Sequence, residues 1–276
     1  KKINFLIISQ DIGGQTAISG DVENYTGYQF ITGPQLTEKF EEHMRQFKVQ
    51  LKSPESVTRI EKKTDFFEVT TNKSTYQTKT IIIASGKRPR LLNVPGEKEF
   101  KNRGVSYCAT CDAPLFSKKK VAVIGGGNSA LDAALQLIKI AEKIYLININ
   151  EKLGGDAIMR EKLEASDRVS IYNAAKTQEI LGDNFVKAIK IRQADKDLTL
   201  EAQGVFVEIG SVPGVEFIDF VARNNFGEIK IDAENRTNVP GIFAAGDVTD
   251  VLEKQIIIAA GEGAKAVLSV FRYLSV

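Results

Sequence analysis

The two cysteines of the chain are the residues best suited to chemistry, because they stand at Cys-X-X-Cys spacing in Cys108-Ala109-Thr110-Cys111-Asp112. Two thiols three positions apart on a turn or at a helix start can close a disulfide, and the positive end of a helix lowers the pKa of a thiol. The spacing therefore predicts a redox pair. Asp112 is a candidate proton donor and acceptor for the neighbouring thiolate. A solvated surface carboxylate is the competing interpretation.

Metal binding is an alternative function for the cysteine pair. A Cys/His zinc site takes about four soft ligands, and beyond the two thiols the chain holds one histidine, His43. Inert packing thiols are the third possibility. Redox chemistry is the favoured hypothesis, and no metal site is expected.

A glycine-rich segment predicts the binding of a dinucleotide. It follows an apolar strand at 120–124, precedes a helix from 129 to about 140, and fits G-x-G-x-x-A. In this motif the glycines allow a tight turn and a close approach of the backbone to the pyrophosphate, which lies on the helix amides. A purely structural strand-to-helix turn is the alternative. The candidate nucleotide-binding residues are Gly125, Gly127, Asn128, Ser129 and Ala130.

The end of the next strand, 143–147, should select the nucleotide. An acidic residue at this point binds the adenosine ribose of NAD, whereas arginine binds the 2′-phosphate of NADP. The segment from Asn148 to Gly154 contains no arginine, and the first arginine after it is Arg160. Asn148 can hydrogen-bond a ribose, so NADH is favoured over NADPH. A vestigial nucleotide cradle is the alternative.

Two further candidates lie near the C-terminus. An apolar strand ends on Gly246-Asp247, where a carboxylate can accept a hydrogen bond from a ribityl or ribose hydroxyl. Gln255-Ile256 opens the last predicted helix, 256–273, whose first amides can face an electron-poor ring carbonyl. The alternatives are an ordinary turn and a helix that simply packs on a sheet.

The elements around these motifs predict an α/β protein of two domains. An amphipathic helix over 34–47 comes first, followed by a polar antiparallel meander with runs at 57–60, 66–70 and 74–76 and a buried strand at 80–84. Turn-forming residues then interrupt the pattern at 85–89 and again at 211–214. We therefore predict one domain from 1–86 with 213–276, and another from 87–212.

The composition and net charge of the chain indicate which classes of binding partner and which cellular location to expect. The chain has 276 residues, 43% hydrophobic and 26% charged, with a net charge of +2, as is typical of a globular protein. Because no large field of one sign is present, nucleic acid and anionic membranes are not expected as partners. The sequence shows neither an apolar run of about 20 residues nor a signal peptide. A cytoplasmic location is expected.

Taken in order, the motifs resemble the low-molecular-weight thioredoxin reductase family, and the resemblance spans the whole chain. Within the family, the chain is most similar to the branch of alkyl hydroperoxide reductase flavoproteins, on the runs from Tyr107 to Phe116 and from Lys254 to Ala266. The motifs are Gly13-Gly14-Gln15, Cys108 to Asp112, Gly125 to Ala130, Gly241 to Asp247 and Gln255-Ile256.

The resemblance implies two Rossmann-like, three-layer nucleotide-binding domains. The FAD domain is discontinuous in sequence, and the inserted NAD(P)H domain carries the redox disulfide. Electrons pass from NAD(P)H to FAD, then to Cys108–Cys111, and then to a thioredoxin-like, glutaredoxin-like or peroxiredoxin-system protein. The family is usually a homodimer. By resemblance, Cys111 lies against the flavin, Cys108 attacks the partner and Asp112 carries the proton. The residues implied at FAD are Gly13, Gly14, Gln15, Asn24, Gly246, Asp247, Gln255 and Ile256.

Two departures from the family pattern matter. The H-R-R-x-x-x-R phosphate clamp is replaced by the segment from Asn148 to Gly154, which again favours NADH. The first strand and FAD glycine loop of the family are expected before Lys1, which predicts that the sequence is a fragment of a longer chain. A protein that has lost tight FAD binding is the alternative. A reductase fed by ferredoxin or reduced flavin is an alternative. A non-catalytic redox sensor is an alternative of a different class.

Overall fold

The computed structural model describes residues 3–19 and 21–275, which form a mixed α/β chain. By its internal contacts the chain divides into two compact units. The first combines Lys1–Arg88 with Val212–Val276, and the second is Pro89–Ser211. Each unit has its own hydrophobic core.

The first segment of the chain contains short strands and one long helix. That helix begins where Thr32 and Gln35 cap each other, since each side chain accepts a hydrogen bond from the backbone N–H of the other. Its bounds agree with the helix predicted over 34–47. The elements are β1 (Leu6–Ile8), α1 (Gly14–Ala17), β2 (Asp21–Val22), β3 (Ile31–Thr32), α2 (Gly33–Gln46), β4 (Gln50–Lys52), β5 (Val57–Lys62), β6 (Phe67–Thr71), β7 (Thr75–Thr78), β8 (Ile81–Ile83) and β9 (Lys87–Pro89).

The middle segment alternates strands and helices and then forms a run of strands. Its elements are β10 (Val105–Ser106), α3 (Ala109–Asp112), β11 (Lys120–Ile124), α4 (Asn128–Leu137), β12 (Lys143–Ile147), α5 (Ala157–Glu164), β13 (Val169–Tyr172), β14 (Ala175–Gly182), β15 (Val186–Gln193), β16 (Lys196–Glu201) and β17 (Gly204–Val207). The last segment adds β18 (Ser211–Pro213), β19 (Ile242–Ala244) and α6 (Ile256–Leu274).

The second unit is built in three layers around a parallel sheet of order β10-β17-β11-β12-β13. Alternate residues of β11 point to opposite faces. Val121 and Val123 pack with α4 and α5 on one face. Ala122 packs on the other face, against the antiparallel sheet β14-β15-β16. Because both faces are covered, β11 and β17 are almost wholly apolar and buried.

The first unit contains several small sheets. The predicted meander forms the antiparallel sheet β5-β6-β7, and the predicted buried strand is β8, which pairs in parallel with β19. Strand β1 pairs in parallel with β4. Phe67, Ile83, Ile242 and Val248 lie in the core between these elements. The core thus joins the N-terminal and C-terminal segments of the chain.

Candidate functional site

The second unit contains a cavity of about 1010 Å³ at the carboxyl ends of its parallel strands. The walls include Gly125–Ser129 after β11, Asn148–Asn150 after β12 and Glu208–Gly210 after β17. Open parallel sheets bind their ligands outside the carboxyl ends of the strands. The cavity therefore lies where a dinucleotide is expected.

The loop between β11 and α4 leaves room for an anion. Gly125 has φ +141°, and a Cβ there would lie 2.2 Å from the carbonyl oxygen of Glu208. A Cβ on Gly127 would meet nothing within 4 Å. Helix α4 begins at Asn128 and has no side-chain cap at Gly127, so its first amides are available to a ligand. An open space in front of uncapped amides fits a pyrophosphate.

Asn148 lies at the predicted strand end, but its side chain forms hydrogen bonds mainly with other groups of the protein. It is 1% exposed. Its Nδ2 donates to Asn150 O at 3.0 Å and to Asn173 Oδ1 at 2.9 Å, and its Oδ1 accepts from Asn150 N at 3.2 Å. Both amide protons are thus used within the protein. The residue fixes the loop after β12.

Two cations on the antiparallel sheet were missed by the sequence analysis. Lys176 of β14 and Arg192 of β15 are directly opposite in register, and both line the cavity. Asp197 of β16 pairs with Arg192, with Nε–Oδ1 at 2.8 Å and Nη2–Oδ2 at 3.2 Å. Both cations lie far along the chain from the end of β12, so the residue pattern at that strand end does not reveal them.

The predicted cysteine pair forms a disulfide at the carboxyl end of β10. The Cα atoms of Cys108 and Cys111 are 5.4 Å apart. Cys108 is half-buried and Cys111 is exposed. The backbone leading into the pair is held by Ser106, whose Oγ accepts from Cys108 N at 3.1 Å. Asp112, half-buried at the end of α3, forms no side-chain hydrogen bond or ion pair with any described residue, so its carboxylate is available for proton transfer.

The candidate flavin residues of the first unit come from both ends of its sequence. Asn24 Nδ2 donates to Gln255 Oε1 at 2.8 Å, which joins residues 231 positions apart. Gln15 Nε2 donates to Lys87 O at 2.5 Å. Gly13 has φ +93°, and a Cβ there would lie 2.3 Å from Thr37 Cγ2. The structure thus brings the Gly13–Gln15 turn against α2 and places Asn24 beside the start of α6.

The end of β19 and the start of α6 provide groups that fit a flavin. Asp247 is half-buried, and within the described residues its carboxylate makes no hydrogen bond or ion pair. Gln255 precedes α6 without capping it, so the amides from Ile256 onward are free of a side-chain acceptor. A free carboxylate suits a ribityl hydroxyl, and uncapped amides suit a ring carbonyl. These residues fit the flavin and ribityl parts of FAD.

A carboxylate between two lysines supports the start of α6. Glu228 pairs with Lys87 at 2.8 Å and with Lys254 at 3.1 Å. Burial opposes its charge, but hydrogen bonds from Lys87, Asn224 and Lys254 lower the pKa of Glu228 to about 2. The two ion pairs thus fix the residue before Gln255.

No group of three or more His, Cys, Asp or Glu side chains suited to a metal ion occurs in residues 3–19 and 21–275. In the same residues, no helix is long and apolar enough to cross a membrane.

Comparison with known proteins gives several relatives. The chain is 41% identical to NADH dehydrogenase of Bacillus subtilis, over 99% of this chain and 54% of that protein. It is 39% identical to an alkyl hydroperoxide reductase component of Staphylococcus epidermidis, over 97% of this chain and 54% of that protein. The chain spans about half the length of these curated relatives.

Solved thioredoxin reductases share the fold. That of Lactococcus lactis matches with a TM-score of 0.86 and 32% identity, over 99% of this chain and 91% of that one. That of T. acidophilum matches with a TM-score of 0.83 and 33% identity, over 98% and 90%. These matches confirm the predicted α/β fold class. The family described as pyridine nucleotide-disulphide oxidoreductase matches residues 8–263. The chain therefore belongs to the pyridine nucleotide-disulphide oxidoreductase family.

Proposed function

We propose that the chain is the catalytic part of an FAD-dependent disulfide reductase. Electrons pass from NADH, in preference to NADPH, through FAD and the Cys108–Cys111 disulfide to a disulfide of a thioredoxin-like, glutaredoxin-like or peroxiredoxin-system protein. The balance is NADH + H⁺ + R–S–S–R → NAD⁺ + 2 R–SH. In this proposal, 1–86 with 213–276 is the FAD domain and 87–212 is the dinucleotide domain.

One observation carries the proposal. The cavity and the disulfide are built at the same edge of one parallel sheet, because the cavity loops follow β11, β12 and β17 while Cys108 follows β10. A dinucleotide site and a redox disulfide on one sheet suit a reductase in which both serve the same electron carrier. The relatives named NADH dehydrogenase and alkyl hydroperoxide reductase support this function.

Each group has a distinct task in the proposed reaction. FAD, when bound, supplies a carrier that accepts a hydride and returns two electrons to a disulfide. Asp247, Gln255 and Ile256, with Gly13, Gly14, Gln15, Asn24 and Gly246, would hold it. The amides of α4 bind the pyrophosphate of the dinucleotide. Cys108 attacks the partner disulfide as a thiolate, Cys111 resolves the mixed disulfide, and Asp112 exchanges the proton.

The test of this function is a spectrum followed by a titration. The purified chain, supplied with FAD, is expected to show flavin absorbance that bleaches under anaerobic NADH. It should take up two equivalents of NADH, one for the flavin and one for the disulfide. Bleaching by reduced ferredoxin alone would favour the ferredoxin-fed reductase. A chain that binds no flavin would favour the redox sensor. The cytoplasmic location and the homodimer stay predictions.

The choice between NADH and NADPH gives a separate prediction on Asp197. Its carboxylate neutralises Arg192, which leaves less positive charge for a 2′-phosphate. Asp197→Asn should therefore strengthen NADPH binding by about threefold to tenfold, because a released exposed cation contributes about 1 kcal/mol, while the affinity for NADH stays unchanged. Fluorescence titration with both nucleotides measures this.

A matched control exists in the neighbouring hairpin of the same antiparallel sheet. Asp183 pairs with Lys187, and both side chains are exposed outside the cavity lining. Asp183→Asn should change neither dissociation constant. An equal gain for NADH and NADPH in Asp197→Asn would contradict a role in 2′-phosphate selection.

A further inference from the structure

Glu208 is a carboxyl group placed between the cavity and the disulfide. It directly follows β17 and lines the cavity. Two residues earlier, Phe206 packs into the core beneath α4 and beside Ala109, so Glu208 lies on the same face of the sheet. The backbone N–H of Ala109, the first residue of α3, lies near its carboxylate and favours the charged form. The proposed mechanism leaves this group without a task.

The surroundings of Glu208 disfavour a negative charge. The pKa of Glu208 is raised to about 7, mainly by burial and further by the Asp132 carboxylate on α4, while the nearby Ala109 N–H acts in the opposite direction. The charged residues of α3 and α4 are Asp112 and Asp132, both acidic. The cavity cations Lys176 and Arg192 belong to the antiparallel sheet, which packs on the opposite face of the parallel sheet. The lysine of β11, Lys120, stands at the opposite end of that strand and pairs with Glu201.

The loop between β11 and α4, where we propose that the pyrophosphate binds, packs directly against the backbone of Glu208. The carbonyl oxygen of Glu208 would be 2.2 Å from a Cβ on Gly125, which places its backbone against the first glycine of the loop. A pyrophosphate bound at Gly127 and the first amides of α4 brings two negative charges to the same cavity. An ionised Glu208 would repel them, and the repulsion is strong where water is partly excluded.

On the basis of the proposed dinucleotide site, we infer that Glu208 must be neutral when the dinucleotide binds, so that binding takes up one proton from solvent at this carboxylate. The O–H bond forms on Glu208 as the pyrophosphate enters, and the proton returns to solvent when the dinucleotide leaves. A neutral carboxyl keeps a carbonyl oxygen that can face the Ala109 N–H. Dinucleotide affinity of the chain is therefore linked to pH around neutrality.

Because the pKa of Glu208 is raised, the affinity for the dinucleotide should fall as the pH rises through neutrality. Well below pH 7 Glu208 is almost fully protonated in the free protein, so proton uptake approaches zero and affinity approaches its maximum. Above pH 7 each binding event must first neutralise the carboxylate. With a pKa of about 7, the dissociation constant should rise by about tenfold between pH 6 and pH 8.

Calorimetric titration with ADP-ribose tests this on the whole chain. The ligand has the pyrophosphate but is redox-inactive and has no 2′-phosphate, which would itself titrate near pH 6. Titrations at pH 6, 7 and 8, each in two buffers of different ionisation enthalpy, give both the affinity and the number of protons taken up. Uptake should rise from about 0.1 at pH 6 to about 0.9 per ligand at pH 8.

Three variants separate the outcomes. Glu208→Gln should bind with a pH-independent affinity and no uptake. Asp132→Asn removes a charge that raises the pKa of Glu208, so its pH dependence should begin at lower pH. Glu164→Gln, which alters an exposed carboxyl on α5, should behave as the unaltered chain.

Each contrary result has a distinct meaning. An affinity of the unaltered chain that does not change with pH would overturn the inference and leave the proposed function intact. The same is true if Glu208→Gln keeps the pH dependence, because another group would then be titrating. A chain that binds ADP-ribose at no pH would overturn the dinucleotide site itself, and this inference with it.

Discussion

Cys111→Ser is expected to abolish disulfide reduction while leaving reduction of the flavin by NADH intact. The electron path through the proposed site ends at the Cys108–Cys111 disulfide, and a serine oxygen cannot form or break that bond. Loss of a covalent catalytic group lowers turnover by roughly 10³-fold or more. Reduction of a small aromatic disulfide and anaerobic bleaching of the flavin are measured on the same FAD-loaded protein. The titration should then consume one equivalent of NADH instead of two.

Substitutions at neighbouring residues provide the control and distinguish the attacking cysteine from the resolving one. Thr110→Ala alters an exposed residue between the two cysteines and should keep full activity. In Cys111→Ser the remaining thiol is Cys108, which we propose as the attacking group, so this variant should form a stable mixed disulfide with a partner protein. Cys111 is the more exposed thiol in this structure. A mixed disulfide that forms in Cys108→Ser instead would reverse the roles, and disulfide reduction surviving in Cys111→Ser would refute the path.

Local motifs in the sequence predicted the structure well where neighbouring residues determine it. The strand, turn and helix around Gly125–Ala130 follow from apolar alternation, glycines and small residues within one stretch of chain. The Cys108–Cys111 pairing likewise depends on a separation of three residues. The order of motifs along the chain was enough to identify the family, which the comparison confirms.

Contacts between distant strands could not be predicted in the same way. Lys176 and Arg192 reach the cavity because β14 and β15 pair in a register that the sequence does not specify. The Asn24–Gln255 hydrogen bond joins residues that were predicted separately by resemblance. Glu208 follows an apolar strand and was not singled out by the sequence analysis. It stands two positions after Phe206, so the two side chains share the face of the sheet that is covered by α3 and α4. An acidic residue ending a buried strand was the available signal.

Gly125→Ala and Gly127→Ala are expected to fail in different ways, although both belong to the same glycine loop. At Gly125 a Cβ would lie 2.2 Å from a backbone oxygen at φ +141°, so β11 and β17 must separate or the turn must change. The strain and the overpacking together should lower the free energy of unfolding by roughly 2–5 kcal/mol. Chemical denaturation of the ligand-free chain measures this loss.

Gly127→Ala should instead fold normally and lose dinucleotide binding. Its backbone has φ −98° and its Cβ would enter open space, so the fold has no reason to be strained. That space is where the pyrophosphate is expected, and losing one charged hydrogen bond costs about 1.5–3 kcal/mol, or roughly 10- to 100-fold in affinity for ADP-ribose. Unchanged stability with weakened binding would show that Gly127 serves pyrophosphate binding, whereas Gly125 serves the fold of the turn. If Gly127→Ala binds ADP-ribose as tightly as the unaltered chain, the pyrophosphate does not lie at this loop, and the assignment of the cavity must be abandoned.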